Sequence, residues 1–199
     1  MLNEKILILG FMLLAYLVGS ISSAVLVSRL FGLPDPRQAG SHNPGATNVL
    51  RLGGKWPAAL TLLGDVLKGF VPVFIAKIFL INPWGIGLIG LLAFLGHLYP
   101  LYFNFVGGKG VATFWGVLMA WYPLLALAFG FTWLLVAFLL RISSLASLVA
   151  SILSIVYTYF FLGVPYAIII VIMVLGIFLR HQGNIKRLVK GQEPRIGRK

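Results

Sequence analysis

Residues 111–140 read VATFWGVLMAWYPLLALAFGFTWLLVAFLL, and the way this stretch is divided decides the architecture of the chain. As one tilted helix it brings the apolar runs to six. Divided at Tyr122-Pro123, where proline fixes its own φ and removes an amide donor, it becomes two short helices and the runs number seven. The other runs lie near 6–27, 57–80, 84–103, 143–162 and 164–180. Pro34 and Pro36, Asn82-Pro83, the glycines around Lys109, Arg141, and Gly163 to Pro165 separate them.

Such runs belong in a bilayer. Of 199 residues, 60% are apolar and 10% charged, and mean hydropathy is +1.00, more grease than a soluble core needs. Seven helices of about 20 residues would take about 140 positions and leave roughly 60 for loops and a tail. The chain therefore reads as an all-α polytopic membrane protein organised as a single integral membrane domain over 1–199. Positive charge selects the seven-span version, because basic residues of short loops stay on the cytoplasmic side. With the amino terminus outside and the carboxyl terminus cytoplasmic, the inner face collects Arg29, Arg37, Arg51, Lys55, Lys109, Arg141, Arg180, Lys186, Arg187, Lys190, Arg195, Arg198 and Lys199. Only Lys5 and Lys77 stay near the outer side. Six spans would force either the basic tail or the basic loop after the first span outward. A cleaved signal peptide fits less well, since the apolar run continues to Val27 and its removal would leave six spans with misplaced charge.

The composition also excludes chemistry. With no cysteine there is no disulfide, iron–sulfur cluster, thiolate zinc site or cysteine nucleophile. The four acidic residues, Glu4, Asp35, Asp65 and Glu193, are scattered, which argues against a carboxylate-bound metal. No Gly-x-Ser-x-Gly pentapeptide occurs. No His-x4-Asp pair occurs either, because Thr47, Tyr102 and Lys186 stand five residues after His42, His97 and His181. The formal charge of +12 suits anionic headgroups or phosphorylated small molecules. No metal, cofactor, nucleic acid or obligate protein partner is implied.

Three polar clusters share the expected inner face. The first runs from Asp35 and Arg37 through Gly40-Ser41-His42-Asn43-Pro44-Gly45-Ala46-Thr47-Asn48 to Arg51. Asn43 or Ser41 suits an N-cap, Pro44 the first turn and Gly53-Gly54 the end, so 44–52 reads as a short interfacial helix after the first span. Its amino end beside glycine-rich backbone suits a phosphate, and Thr47 and Arg51 share a face. The plainer reading is a capped turn solvated among headgroups. The second cluster, Gly107-Gly108-Lys109-Gly110 before Val111, has glycines, a lysine and a helix start, but lacks the spacing and Ser/Thr of a nucleotide loop. The plainer reading there is a flexible turn with a snorkelling lysine.

The third cluster joins Arg141, Ser143 and Ser144 at the start of the sixth span with His181 and Asn184 at the end of the seventh, the latter two spaced to share a helical face. His181 there can accept a proton from a hydroxyl or donate to a phosphate. An interfacial histidine in water is the plainer alternative. His97 reads as a hydrogen-bonded core residue. Asp65 and Lys68, three apart in the second span, read as an ion pair fixing that helix against the inner loops, with a proton or ion relay as the functional alternative.

Taken together, Gly19-Ser20-Ile21, the 40–48 block with Arg51, Gly96-His97-x-x-Pro100, Gly107-Gly108-Lys109-Gly110-Val111-Ala112-Thr113 and His181-x-x-Asn184-Ile185-x-Arg187-Leu188-x-x-Gly191-x-Glu193 resemble, in order, the blocks of the bacterial acyl-phosphate:glycerol-3-phosphate acyltransferase (PlsY) family. The resemblance covers nearly the whole chain. It implies transfer of a fatty acyl group from acyl phosphate to the 1-hydroxyl of glycerol 3-phosphate, giving lysophosphatidic acid and phosphate on the cytoplasmic side of the bacterial inner membrane, with membrane lipids around the bundle. On this expectation Gly40, Ser41, His42, Asn43, Gly45 and Thr47 hold the acyl-phosphate head, and Arg37, Arg51, Lys109, Ser143, His181 and Asn184 grip glycerol 3-phosphate. Ser41, Arg51, Lys109 and His181 are the expected catalytic set. Acyl phosphate is already activated, so orientation and electrostatics suffice without an acyl-enzyme. The proton goes to His181 or to the departing phosphate. A small transporter or flippase for phosphorylated solutes or lipids is the competing class, but it would need polar residues continuing across the midplane. A non-catalytic anion-sensing scaffold is a third reading.

Overall fold

The computed structural model describes residues 2–80 and 82–197; Arg198 and Lys199, counted above among the inner-face charges, lie outside the described residues. Among the described residues the chain is helical, without strands. Helices α1 (Leu2–Gly19), α2 (Ser23–Leu30), α3 (Ala46–Gly53), α4 (Lys55–Phe79), α5 (Pro83–Leu98) and α6 (Val111–Trp121) form one compact unit, Met1–Trp121. Helices α7 (Pro123–Leu140), α8 (Ser143–Leu162), α9 (Val164–Arg180) and α10 (Gln182–Val189) form a second, Tyr122–Lys199.

Among the described residues, five segments are long and apolar enough to cross a bilayer: Leu2–Leu30, Lys55–Phe79, Pro83–Phe103, Pro123–Leu140 and Ser143–Leu162. The pair α9 and α10, bent by 65°, makes a sixth if counted as one span. Helix α6 has 11 residues, a rise of about 16 Å against a hydrocarbon core of about 30 Å. Length therefore yields five or six crossings, and the expected seventh rests on α6. Outward side chains such as Phe131, Phe138 and Phe160, 69%, 81% and 77% exposed, are what a helix facing lipid presents.

In the first unit, helices meet through small residues. A Cβ on Gly19 of α1 would strike the Ala93 carbonyl of α5, and one on Gly69 of α4 would strike the Thr113 carbonyl of α6. Backbones approach this closely where lipid supplies no hydrophobic drive and packing must hold the bundle. The first span was expected to run unbroken over 6–27. It instead breaks between α1 and α2, and the buried Lys68 ammonium donates to the Ile21 carbonyl in the break at 2.8 Å. The same ammonium pairs with Asp65 at 2.8 Å, as the three-residue spacing predicts. Lys77 donates to the Trp121 carbonyl at 2.7 Å and the Ala120 carbonyl at 3.3 Å, satisfying the end of α6 where Tyr122-Pro123 stops it.

In the second unit, Pro123 and Pro165 sit in the first turns of α7 and α9, where a missing amide costs nothing. Ser147, Ser151 and Ser154 of α8 return their hydroxyls to carbonyls four residues back, so polar side chains enter the packed face without an orphan donor.

Candidate functional site

The loop from Asp35 to Gly45 is built around one amide side chain that sequence reasoning did not single out. Asn48, 1% exposed, donates through Nδ2 to the carbonyls of Pro36 and Ala39, both at 2.9 Å, and accepts the Ser41 amide on Oδ1 at 2.8 Å. The loop curls through left-handed backbone at Gly40 (φ +65°) and His42 (φ +56°). A Cβ on Gly40 would collide with Asn48 Oδ1, so only glycine closes this ring.

The short helix differs from its expected form. It begins at Ala46 with Gly45 as N-cap and runs to Gly53, rather than over 44–52, and neither Ser41 nor Asn43 caps it. Asn48 reaches back from inside the helix to organise the loop. Gly54, at φ +82°, closes the helix as expected. The expected nest of amides over 40–45 also narrows: those of Ser41, His42 and Gly45 bond to Asn48, Ala39 and Asn43. The amides of Ala46 and Thr47 remain, at a helix start with no carbonyl ahead of them. Ser41, His42, Thr47 and Arg51 are solvent-facing and Asn43 is half-buried. Arg37, expected among the acceptor ligands, engages Asp35 at 2.6 Å and lies 5.7 Å over the Phe103 ring. Hydrogen bonding from that guanidinium holds the Asp35 carboxyl below the usual carboxylate range and pushes the Arg37 pKa up.

The glycine–lysine loop packs against this one. The Gly108 amide donates to the His97 carbonyl at 3.2 Å. A Cβ on Gly108 would collide with His97 Nε2 and come within 2.9 Å of the Pro44 carbonyl. The two glycine-rich stretches, about sixty residues apart in sequence, are thus in contact within the first unit, with Lys109 half-buried beside the junction.

In the second unit the organising group is Glu193, whose side chain is 6% exposed. One oxygen accepts from Ser144 Oγ at 2.7 Å and Asn184 Nδ2 at 2.5 Å; the other accepts from Arg187 Nε at 2.7 Å. Burial works against ionisation, yet these three donors outweigh it and hold the Glu193 carboxyl below its ordinary range. With the Ser144 hydroxyl engaged there, Ser143, half-buried, is the other serine of the pair. His181 does not share a helix with Asn184 as expected: it is the corner residue between α9 and α10. The ring is buried, and its Nδ1 lies 2.8 Å from the Ile177 carbonyl. A carbonyl only accepts, so Nδ1 carries a proton and in the neutral ring Nε2 carries the lone pair.

Sequence signals for the two organisers were present but weak. Asn48 and Glu193 stand inside the blocks quoted above, yet nothing in their spacing reveals which atoms they hold. Among the described residues no three His, Asp or Glu side chains gather as they would around a metal ion.

Comparison with known proteins bears on what this arrangement serves. A family model described as glycerol-3-phosphate acyltransferase matches residues 9–191. The glycerol-3-phosphate acyltransferase of Methylococcus capsulatus is 54% identical over 186 residues, covering 93% of this chain and 94% of its own. That of Thioalkalivibrio sulfidiphilus is 52% identical over 203 residues, covering 100% and 97%. The crystal structure of PlsY (YgiH), an integral membrane glycerol 3-phosphate acyltransferase, matches in its glycerol 3-phosphate form with a TM-score of 0.91 and 41% identity over 96% of each chain. Its lysophosphatidic acid form matches with a TM-score of 0.89 and 39% identity, over 96% of this chain and 95% of that one. The chain belongs to the glycerol-3-phosphate acyltransferase family.

Proposed function

We propose that this protein, a glycerol-3-phosphate acyltransferase, takes its acyl group from acyl phosphate and delivers it to the 1-hydroxyl of glycerol 3-phosphate, releasing lysophosphatidic acid and inorganic phosphate. The observation that carries this reading is the abutment of Gly108 on Pro44. It puts helix-start amides and a lysine-bearing glycine loop side by side, an arrangement suited to a phosphate monoester attached to a lipid tail. The side chains of Ser41, His42, Asn43 and Thr47, with the Ala46 amide, hold the donor's phosphate, and Gly45 gives the loop its turn into the helix. Arg51 and Lys109 supply positive charge against the repulsion between anionic substrates, and Arg37 braces the loop through Asp35. Ser143, His181 and Asn184 bind glycerol 3-phosphate, with Glu193 orienting Asn184.

The acceptor oxygen attacks the acyl carbonyl, an ester C–O bond forms, and the bond from that carbon to the phosphate oxygen breaks. The hydroxyl proton ends on the departing phosphate, whose basicity rises as the bond breaks. No acyl-enzyme is needed, and positioning with electrostatic stabilisation supplies the rate. His181 Nε2 orients the hydroxyl.

The same reading carries a topology: seven spans with α6 as the short one, amino terminus outside, carboxyl terminus cytoplasmic, and catalysis on the cytoplasmic face of the bacterial inner membrane. The positive charge of the 28–56 and 180–199 segments supports it. Purified protein given acyl phosphate and glycerol 3-phosphate in EDTA tests the reading. Lysophosphatidate and phosphate in equal amounts are expected; glycerol 3-phosphate flux in proteoliposomes without product would overturn it.

A further inference from the structure

Within the first unit, the buried charged groups and the glycine–lysine loop meet at one side chain. His97, near the end of α5, is 6% exposed. Its Nδ1 faces Asp65 Oδ1 at 3.6 Å, and Asp65 pairs with Lys68, which is anchored to the Ile21 carbonyl. The other ring nitrogen, Nε2, lies against Gly108 so closely that no Cβ fits between them. The His97 carbonyl takes the Gly108 amide, and the space for a Cβ on Gly107 is filled by the carbonyls of His97 and Leu98. The Pro44 carbonyl closes the remaining side of Gly108. The imidazole is therefore a wall for the loop that carries Lys109 and touches the junction with the 40–48 block. Behind it, 3.6 Å from Nδ1, stands a carboxylate that is itself paired with a lysine.

We propose that His97 is a positioning residue for the acyl transfer: braced by Asp65 and Lys68, it sets where the 107–110 loop lies and hence where Lys109 places its charge. The proposal rests on the assignment of Lys109 to substrate charge made above. Removing the imidazole leaves a hole beneath Gly108 into which a glycine-rich loop relaxes, and misplacement of a charged group by about 1 Å costs on the order of 100-fold in rate. The buried pair thereby acquires a purpose beyond holding helices together: it places a carboxylate behind the ring, on the side away from Gly108.

A double-mutant cycle on full-length protein in detergent tests this. His97→Ala is expected to lower turnover about 10- to 100-fold. His97→Gln, which keeps a hydrogen-bonding group in the slot, is expected to recover part of the loss, and it replaces the alanine variant in the cycle should that variant fail to accumulate. In a Lys109→Ala background, already slow, the His97 change is expected to cost less than about threefold more, because the loop it positions no longer carries the charge. Losses that multiply in full would overturn the proposal, as would unchanged turnover in His97→Ala. A Lys109→Ala protein as active as the unaltered one would strike at the assignment of Lys109 and overturn both readings. A slowed Lys109→Ala protein in which the two losses multiply would overturn only the role of His97.

Discussion

Asn48 Oδ1 accepts the Ser41 amide at 2.8 Å, a helix side chain reaching backward across seven residues to hold the loop that precedes it. Together with its bonds to Pro36 and Ala39, this makes the loop's shape a property of one buried amide. Asn48→Ala is expected to leave these backbone groups without partners and to lower stability by about 1–3 kcal/mol. It also raises KM for the acyl donor. Thermal unfolding in detergent and steady-state kinetics check both; unchanged values would contradict the role.

Glu193 yields a pH dependence with a definite sign. Its carboxyl is held below the ordinary range by Asn184, Ser144 and Arg187 against the cost of burial, so the unfolded chain takes up this proton at higher pH than the folded one. The stabilisation is present above the unfolded value, about 4.3, and is lost as pH falls through the lower folded value. Melting temperatures of the unaltered protein and Glu193→Gln are expected to differ most at neutral pH and to converge below about pH 4. A gap that is the same at every pH would contradict this.

Lys77 serves α6 by donating to the carbonyls of Ala120 and Trp121. Lys77→Met keeps the apolar stem and removes the donor, so stability falls by about 1–3 kcal/mol. Lys77→Arg retains most of it. Chemical denaturation in mixed micelles distinguishes the two.

His181→Ala separates orientation from proton transfer. With Nδ1 committed to Ile177 and the proton ending on phosphate, the expected loss is a rise of about 10- to 100-fold in KM for glycerol 3-phosphate with a smaller fall in kcat. A fall of several orders of magnitude in kcat with KM intact would make histidine the base.

Much of the fold was legible because its punctuation is local. Pro123, Pro165 and Gly163 mark helix ends by chemistry that needs no distant partner, and 111–121, 123–140, 143–162 and 164–180 agree with the observed helices. The break at 20–22 was not legible: Ser20-Ile21-Ser22 carries no proline, and Lys68, which bonds the Ile21 carbonyl, lies 47 residues away. The corner at His181 has no proline either, and Gly183 stands inside α10 rather than at the bend. The site divides in the same way. Residue types and their blocks were visible, whereas the hubs Asn48, His97 and Glu193 act through contacts that spacing does not encode. His97 read as a core residue, and burial agrees; its contact with Gly108 needed the tertiary structure.

The proposed acyl transfer turns on the 40–47 loop holding the donor's phosphate. Gly40→Ala places a Cβ against Asn48 and forces left-handed backbone on a residue that resists it. Measured with both substrates varied, this variant is predicted to raise KM for acyl phosphate at least about tenfold while leaving KM for glycerol 3-phosphate within about twofold. An effect on glycerol 3-phosphate alone, with the acyl-phosphate KM unchanged, would contradict the assignment.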